Sequence, residues 1–323
     1  MSVTFNGAFT FSGGGFTASL APFTPTAGWF AGGNDSGGVS VTTVNRITFT
    51  TDTATASVRG PLSSARYALA GSGTFTYGWF GGGYGFVNPT PTGFLSTVER
   101  ITYATDTATA SVRGPLSLAR YALSSVSDGT TYSWYGGGGN PGFSTVDRIT
   151  YATDTATASI RGSLNLGRNG VAACTNLTYG YFGGGVSSPG PVSSIDRITY
   201  ATDTATATSI GTLSLGRRFL ASTTDTTTYG WFAAGYLAPA YLSVVDRITY
   251  ATDTATASVR GPLSLARGSL AGTGNTSYGW FSGGTDSTSI VDRIDYANDT
   301  ATATARGPMS LVVAGQGAAA GLQ

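Results

Sequence analysis

Histidine and lysine are absent from this chain of 323 residues, glutamate occurs once, as Glu99, and cysteine once, as Cys174. Without histidine there is no Ser-His-Asp or Cys-His catalytic site, and zinc and haem sites lose their commonest ligand. A single cysteine cannot form a disulfide within the chain, so we expect Cys174 to be a buried filler. These gaps exclude much familiar enzyme chemistry, and we predict a protein that is not an enzyme and has neither metal nor cofactor.

Charge and long apolar runs are also scarce. Only 10% of the residues are charged and the formal net charge is +1, so the sequence indicates no basic surface for nucleic acid. No segment is long and apolar enough to cross a bilayer, and residues 1–7 lack the basic start of a secretory signal. We predict no nucleic-acid partner and no membrane insertion; if the protein works outside a cell, it leaves by another route, such as release with a particle.

Repetition is what the chain has in abundance. An arginine followed by isoleucine recurs at a period near 50 residues, and an aromatic pair such as Trp134-Tyr135 recurs in step with it. The six copies of the arginine are Arg46, Arg100, Arg148, Arg197, Arg247 and Arg293. A period of this length with several short strands is typical of a propeller blade. We therefore predict an all-β fold, a six-bladed β-propeller with four antiparallel strands per blade.

The unit from Pro115 to Arg161 shows the strands expected in one blade. Residues 121–125, with three small side chains among five, predict an inner strand, and residues 132–135 predict an aromatic second strand that ends in glycines. Residues 146–151 alternate apolar and polar side chains, as a half-buried third strand does. A turn at residues 153–155 and an outer strand at 156–160 complete the predicted blade.

The two ends of the chain depart from the repeat. We assign residues 17–306 to the propeller and residues 1–16 to an N-terminal extension or a strand that attaches to a neighbouring subunit. Residues 307–323 begin another lead-in. Because blade one lacks the usual lead-in, either terminus could supply its inner strand, and we favour residues 312–320 at the C-terminal end.

Three motifs in fixed order resemble the kelch repeat. Gly114–Arg120 is a proline-containing lead-in with arginine. Tyr132–Gly138 is a strand that ends in glycines, and Val146–Thr155 is a tyrosine-bearing strand with its turn. Ala156 and Thr157 stand where the kelch tryptophan is expected, so the outer edge must pack differently. The near-identical copies also resemble kelch-like arrays encoded by marine bacteriophages, especially those of cyanobacteria. The kelch resemblance extends to a copper oxidase, whose chemistry needs histidine ligands that this chain lacks.

The repeated charges are predicted to be structural, because a catalytic pair normally occurs once. Arg46 and its five copies are expected to tie adjacent blades together through carboxylates and backbone carbonyls. An aspartate recurs in each predicted turn, and we expect it to bond its own backbone two residues on. These aspartates are Asp52, Asp106, Asp154, Asp203, Asp253 and Asp299. The alternatives are calcium binding by the turns and an anion held by arginines in the central channel.

The loops between the second and third strands differ in every repeat and are expected on the same face as the links between blades. They span residues 34–43, 84–97, 140–145, 186–194, 236–244 and 285–290. Variable loops on a repetitive frame are where distinct function can reside. The candidate binding residues are the aromatic side chains Tyr84, Phe86, Phe94, Phe143, Tyr236 and Tyr241, with the acids Asp35 and Asp286. The rings suit glycan stacking or a protein interface, or they cap their own blades.

The function predicted from these features is non-catalytic binding. The family resemblance and the composition together suggest a phage virion component, a fibre, decoration or tail-associated protein, whose partners are other virion proteins or a host-surface glycan. The alternative is a kelch-type protein-interaction scaffold inside a cell. A glycan-cleaving enzyme is the third hypothesis, and it would use Asp35 and Asp286, which belong to the adjoining blades one and six.

Overall fold

The computed structural model describes residues 10–12, 15–17, 24–87, 90–285 and 288–321, and this part of the chain is built of short strands. The strands are β1 Thr10–Ser12, β2 Gly15–Thr17, β3 Ala27–Ala31, β4 Val44–Thr48, β5 Ser57–Arg59, β6 Ala70–Gly73, β7 Tyr77–Gly81, β8 Tyr84–Val87, β9 Thr90–Phe94, β10 Val98–Thr102, β11 Ser111–Arg113, β12 Ser124–Ser127, β13 Tyr132–Gly136, β14 Val146–Thr150, β15 Ser159–Ile160, β16 Ala172–Thr175, β17 Tyr179–Gly183, β18 Val186–Ser187, β19 Gly190–Pro191, β20 Ser194–Thr199, β21 Thr208–Thr212, β22 Ala221–Thr224, β23 Tyr229–Leu237, β24 Ala240–Thr249, β25 Ser258–Arg260, β26 Ala271–Gly274, β27 Tyr278–Ser282, β28 Val291–Asp295, β29 Thr304–Ala305 and β30 Gly317–Gly321. One-turn 3-10 helices lie at Phe49–Thr51, Tyr103–Thr105, Tyr151–Thr153, Tyr200–Thr202, Tyr250–Thr252 and Tyr296–Asn298.

Six four-stranded antiparallel sheets form the blades of a propeller, which confirms the predicted fold and blade count. From the inner to the outer strand they are β30-β3-β4-β5, β6-β7-β10-β11, β12-β13-β14-β15, β16-β17-β20-β21, β22-β23-β24-β25 and β26-β27-β28-β29, for blades one to six. Small hairpins, β8-β9 in blade two and β18-β19 in blade four, extend from the loops between second and third strands. A separate hairpin, β1-β2, ends at Thr17, one residue beyond the predicted N-terminal extension.

Blade one combines strands from both ends of the chain. Its inner strand is β30, which pairs with β3 in antiparallel register from Ala27–Gly321 to Ala31–Gly317. The structure therefore takes this strand from the C-terminal segment, while residues 17–21, the other candidate, lie mostly outside the described residues. In blade three, the unit from Pro115 to Arg161, the inner strand is β12, which begins three residues later than the predicted start at residue 121. Residues 121–123 belong to the link that crosses the face.

The core lies between the blades, where each sheet packs against its neighbours on both faces. The second strand is accordingly buried almost throughout, as for Trp134 and Tyr135 of β13. Each interface contains an aromatic stack. Between blades three and four, the ring centroids of Trp134 and Tyr200 are 4.2 Å apart. Two adjacent rings on one strand thus serve two different interfaces, which explains why the aromatic pair recurs in every repeat. Cys174 is buried in the same core, and burial raises the pKa of its thiol to about 12.

Candidate functional site

The turn aspartates do not bond their own backbone as predicted; each one joins its blade to the preceding blade. The Oδ2 of Asp203 accepts a hydrogen bond from Trp134 Nε1 at 2.7 Å and one from Arg148 Nη1 at 2.9 Å. Arg161 Nε lies 3.6 Å from the same oxygen. The prediction was wrong because the 3-10 helix directs the carboxylate toward the neighbouring sheet. There, two guanidinium groups and an indole N–H surround it.

The same cluster recurs at five of the six interfaces, and one of these closes the ring between blades six and one. The Oδ2 of Asp52 accepts from Trp280 Nε1 at 2.8 Å and from Arg293 at 3.1 Å. At the remaining interfaces the acids and arginines are Asp106 with Arg46, Asp154 with Arg100, Asp253 with Arg197 and Asp299 with Arg247. Between blades four and five, Tyr181 and Ile210 replace the tryptophan and the second arginine, and Asp253 pairs with Arg197 alone. These pairs account for all six copies of the repeated arginine, so their role is architectural.

A second set of charges is fully buried inside five of the blades. Arg120 Nη1 lies 2.9 Å from Asp147 Oδ2, and neither side chain is accessible to solvent. The equivalent pairs are Arg66 with Glu99, Arg168 with Asp196, Arg217 with Asp246 and Arg267 with Asp292. Blade one has Val313 in place of the arginine and Asn45 in place of the acid, both buried. Both charges are lost together there, as expected if a buried ion without its partner is costly.

The central channel is lined by the inner strands of all six blades and encloses a small cavity of about 120 Å³. Its wall consists of leucine, valine, alanine, glycine and serine residues together with Gln316. No arginine is among the described residues that line this cavity, so the hypothesis of an anion held there by arginines is wrong. The arginines that pair with acids lie farther out, inside and between the blades.

One mouth of the channel is narrowed by a closed ring of backbone hydrogen bonds. In each blade the second residue after the buried arginine position has a positive φ, for example 55° at Ala122 and 57° at Phe219. Its N–H donates to the carbonyl of the equivalent residue in the preceding blade. The ring runs through Ala68, Ala122, Gly170, Phe219, Ser269 and Gly315, with N to O distances of 2.6 to 2.8 Å. Left-handed backbone at residues other than glycine is unfavourable and is retained here by the surrounding ring.

The variable loops surround this mouth, on the same face as the links between blades. Backbone bonds connect the two: Tyr84 pairs with Tyr67, Val186 with Asn169, and Tyr236 with Arg218. The residue before each member of the hydrogen-bonded ring therefore holds the first part of one variable loop. We call the surface formed by these loops and links the variable face.

An aromatic cluster lies on the variable face at blades two and three. Phe94 stacks on Tyr121 with ring centroids 5.0 Å apart and an interplanar angle of 4°. Tyr84 packs edge-on against Phe94 at 5.6 Å, and Tyr67 lies 5.6 Å from Tyr84. Phe94 nevertheless exposes 42% of its side-chain surface. The hairpin β8-β9 thus presents an apolar ring that its own blade does not cover.

A second cluster lies at blade five, on the other side of the mouth. Tyr236 and Tyr241 face each other across the hairpin of β23 and β24, with ring centroids 5.1 Å apart. The guanidinium carbon of Arg218 lies 5.5 Å from the centroid of Tyr236 and 4.9 Å from that of Phe219. Together they place one positive charge between aromatic rings on a partly exposed surface.

Among the remaining candidates, the structure places Phe143 and Asp35 in two other variable loops. Phe143 is half-buried in the loop of blade three, where its ring covers Gly139. Phe86 lies in β8, whose backbone is described, and Asp286 lies outside the described residues. Asp35 Oδ1 accepts from the N–H groups of Gly37 and Val39, each at 2.9 Å, so this carboxylate shapes its own loop.

Tyr67, Tyr121 and Arg218 belong to the clusters although the sequence prediction omitted them. They occupy one position of the repeat, directly after the buried arginine, and the six residues there are Tyr67, Tyr121, Asn169, Arg218, Gly268 and Ala314. Variation at that position, between two otherwise repetitive segments, was the signal that could have identified them. Arg218 is also the only arginine without a carboxylate partner among the described residues.

No protein-family model matches this chain, and no curated protein matches it. The kelch resemblance therefore depends on the repeat motifs themselves. Within the part of the chain that the structure describes, no group of three or more His, Cys, Asp or Glu side chains is placed to hold a metal ion. None of the helices described is long and apolar enough to cross a membrane.

Proposed function

We propose that this protein is a non-catalytic binding protein that recognises a carbohydrate through the variable face. The observation that carries the proposal is the exposed ring of Phe94, held flat against Tyr121 at the edge of a hairpin. A fixed aromatic ring offers its apolar surface to the C–H groups of a sugar without losing side-chain freedom on binding. The repeated acids support a non-catalytic role, because the structure engages them in pairs between and inside the blades.

A glycan array tests this proposal with two variants that remove rings of equal exposure. Phe94→Ala removes the stacking ring, and we expect binding to its glycans to weaken about tenfold, since one stacked ring contributes on the order of 1 kcal/mol or more. The matched control is Phe75→Ala, because Phe75 exposes 40% of its surface in the turn between β6 and β7 on the opposite face. Equal loss in both variants, or no glycan bound by the wild-type protein, contradicts the proposal.

We further propose that the protein acts as a kelch-like component of a phage particle. The support is the resemblance of its repeats to kelch motifs and to arrays of marine phages, together with its low-charge composition rich in glycine, threonine and alanine. Mass spectrometry of purified particles from the phage that encodes the chain provides the test. Peptides of this protein are expected at a constant ratio to the capsid protein, and their absence from particles contradicts the assignment.

A protein-interaction scaffold is the second candidate, and an arc of exposed leucines favours it. The links into blades three to six each carry one leucine with 37–44% of its side chain exposed, namely Leu118, Leu166, Leu215 and Leu265. Repeated exposed apolar side chains beside variable loops are typical of a protein interface. If a protein partner binds here, Leu215→Ser should reduce its capture, whereas Leu177→Ser, in the turn between β16 and β17 at 76% exposure, should not.

A further inference from the structure

We infer that Arg218, with Tyr236 and Tyr241, forms a subsite for the carboxylate of an acidic sugar. This inference rests on the proposed carbohydrate-binding function and specifies its ligand class. Sixteen arginines have a carboxylate within ion-pair distance, at repeat positions inside or between blades. Arg218 alone lies outside these repeated arginine positions and has no such partner among the described residues. Its five N–H donors are thus available for an external anion.

The surroundings of Arg218 hold its side chain in a defined place. The guanidinium lies over two rings, Phe219 and Tyr236, at 4.9 and 5.5 Å from their centroids. The backbone of Arg218 is bonded in both directions to Tyr236, with N to O distances of 3.1 and 2.7 Å. A guanidinium positioned in this way loses little freedom when it forms two parallel bonds to a carboxylate.

The rest of the subsite suits a sugar ring beside the charge. Tyr236 and Tyr241 are the opposed residues near the tip of the long hairpin β23-β24, and both are partly exposed. Tyr241 lies against the link at Gly268, where an added Cβ would be 3.2 Å from its ring, so the absence of a side chain there makes room for it. Two tyrosine rings and a neighbouring cation provide apolar contact, hydroxyl groups and charge within one short stretch of surface.

The geometry also separates this subsite from the Phe94 cluster. Blades two and five are opposite one another in the ring, so Phe94 and Arg218 lie on opposite sides of the channel mouth. A glycan bound at Phe94 by stacking need not be acidic. A failure of the inference can therefore be distinguished from a failure of the proposed function.

The first measurement follows the Nε–Hε signal of Arg218 by nuclear magnetic resonance during titration with glucuronate. The signal is assigned as the one missing from Arg218→Gln. We expect a saturable shift with glucuronate, weaker at high salt, and none with glucose. A glucuronate response that is absent, or that glucose reproduces, overturns the inference.

The second measurement repeats the glycan array with Arg218→Gln and Arg218→Lys. Acidic glycans should bind about tenfold or more weakly to Arg218→Gln, because a hydrogen-bonded charge pair is lost, and Arg218→Lys should retain part of the affinity. Acidic glycans that bind Arg218→Gln as tightly as the wild-type protein overturn the inference, and the proposed function still stands if Phe94→Ala weakens glycan binding. A saturable glucuronate shift with no glycan bound on the array supports the anion subsite and contradicts the proposed function.

Discussion

Replacing Arg120 with valine is expected to lower the free energy of unfolding by about 3–5 kcal/mol, because Asp147 is left buried without its cation. Arg120 contacts Asp147 at 2.9 Å and also donates to the carbonyl of Tyr135 at 2.9 Å, so the substitution removes two partners at once. Burial lowers the pKa of Arg120, and Asp147 opposes that effect, so the carboxylate stabilises the charged form of the guanidinium. Urea unfolding followed by tryptophan fluorescence measures the loss.

The double variant Arg120→Val, Asp147→Asn reproduces in blade three the neutral pair that blade one already contains, Val313 and Asn45. We expect it to recover most of the stability lost in the single variant, with a coupling energy of about 2 kcal/mol or more. Asp147→Asn alone should also be destabilised, since it leaves the guanidinium unpaired. If the two single losses simply add, the pair is not coupled and the explanation for blade one is wrong.

The second large effect is expected at Gly162, where the link leaves blade three and crosses to blade four. A Cβ at this position would lie 1.8 Å from the carbonyl oxygen of Ala205 and 2.3 Å from its carbon. The backbone is held there by a hydrogen bond from Gly162 N to Asp203 O of 2.8 Å. Gly162→Ala must therefore separate the two blades locally, and we expect a loss of about 3 kcal/mol or more from forced overpacking against backbone.

Gly190→Ala is the matched control for this substitution. Gly190 lies in the small hairpin of blade four, and a Cβ there would meet no heavy atom within 4 Å. Its unfolding free energy and melting temperature should stay close to those of the wild-type protein, because a surface substitution without a clash has little effect. A similar loss of unfolding free energy in both variants would show that chain stiffness, and not the close approach of residue 162 to Ala205, causes the destabilisation.

The sequence was sufficient to predict the fold but not the partners of its charged residues. Six copies of a strand pattern determine a blade count, because each blade needs neighbours to cover both faces. The role of Asp203 could not be read locally, since its partners Trp134 and Arg148 are distant in sequence and belong to another blade. The Asx-turn prediction considered only the local backbone, which is why it failed.

The candidate site was predicted only in part, again because contacts between residues distant in sequence could not be read locally. The loops around the mouth were located correctly by their variation, and Phe94, Tyr236 and Tyr241 lie there. Tyr121 was assigned to the predicted inner strand, and Arg218, outside the repeated arginine positions, was given no role. Only the folded propeller shows that each link brings the residue after the buried arginine position beside a variable loop.

The origin of the inner strand of blade one determines when the molecule can be completed during synthesis. Blades two to six consist of consecutive segments, so each can form its sheet soon after it leaves the ribosome. The first blade remains a three-stranded sheet with β3 at an open edge until β30 has emerged. During that interval β3 is available to strands of other chains. The earliest part of the propeller to be translated is thus the last to be protected.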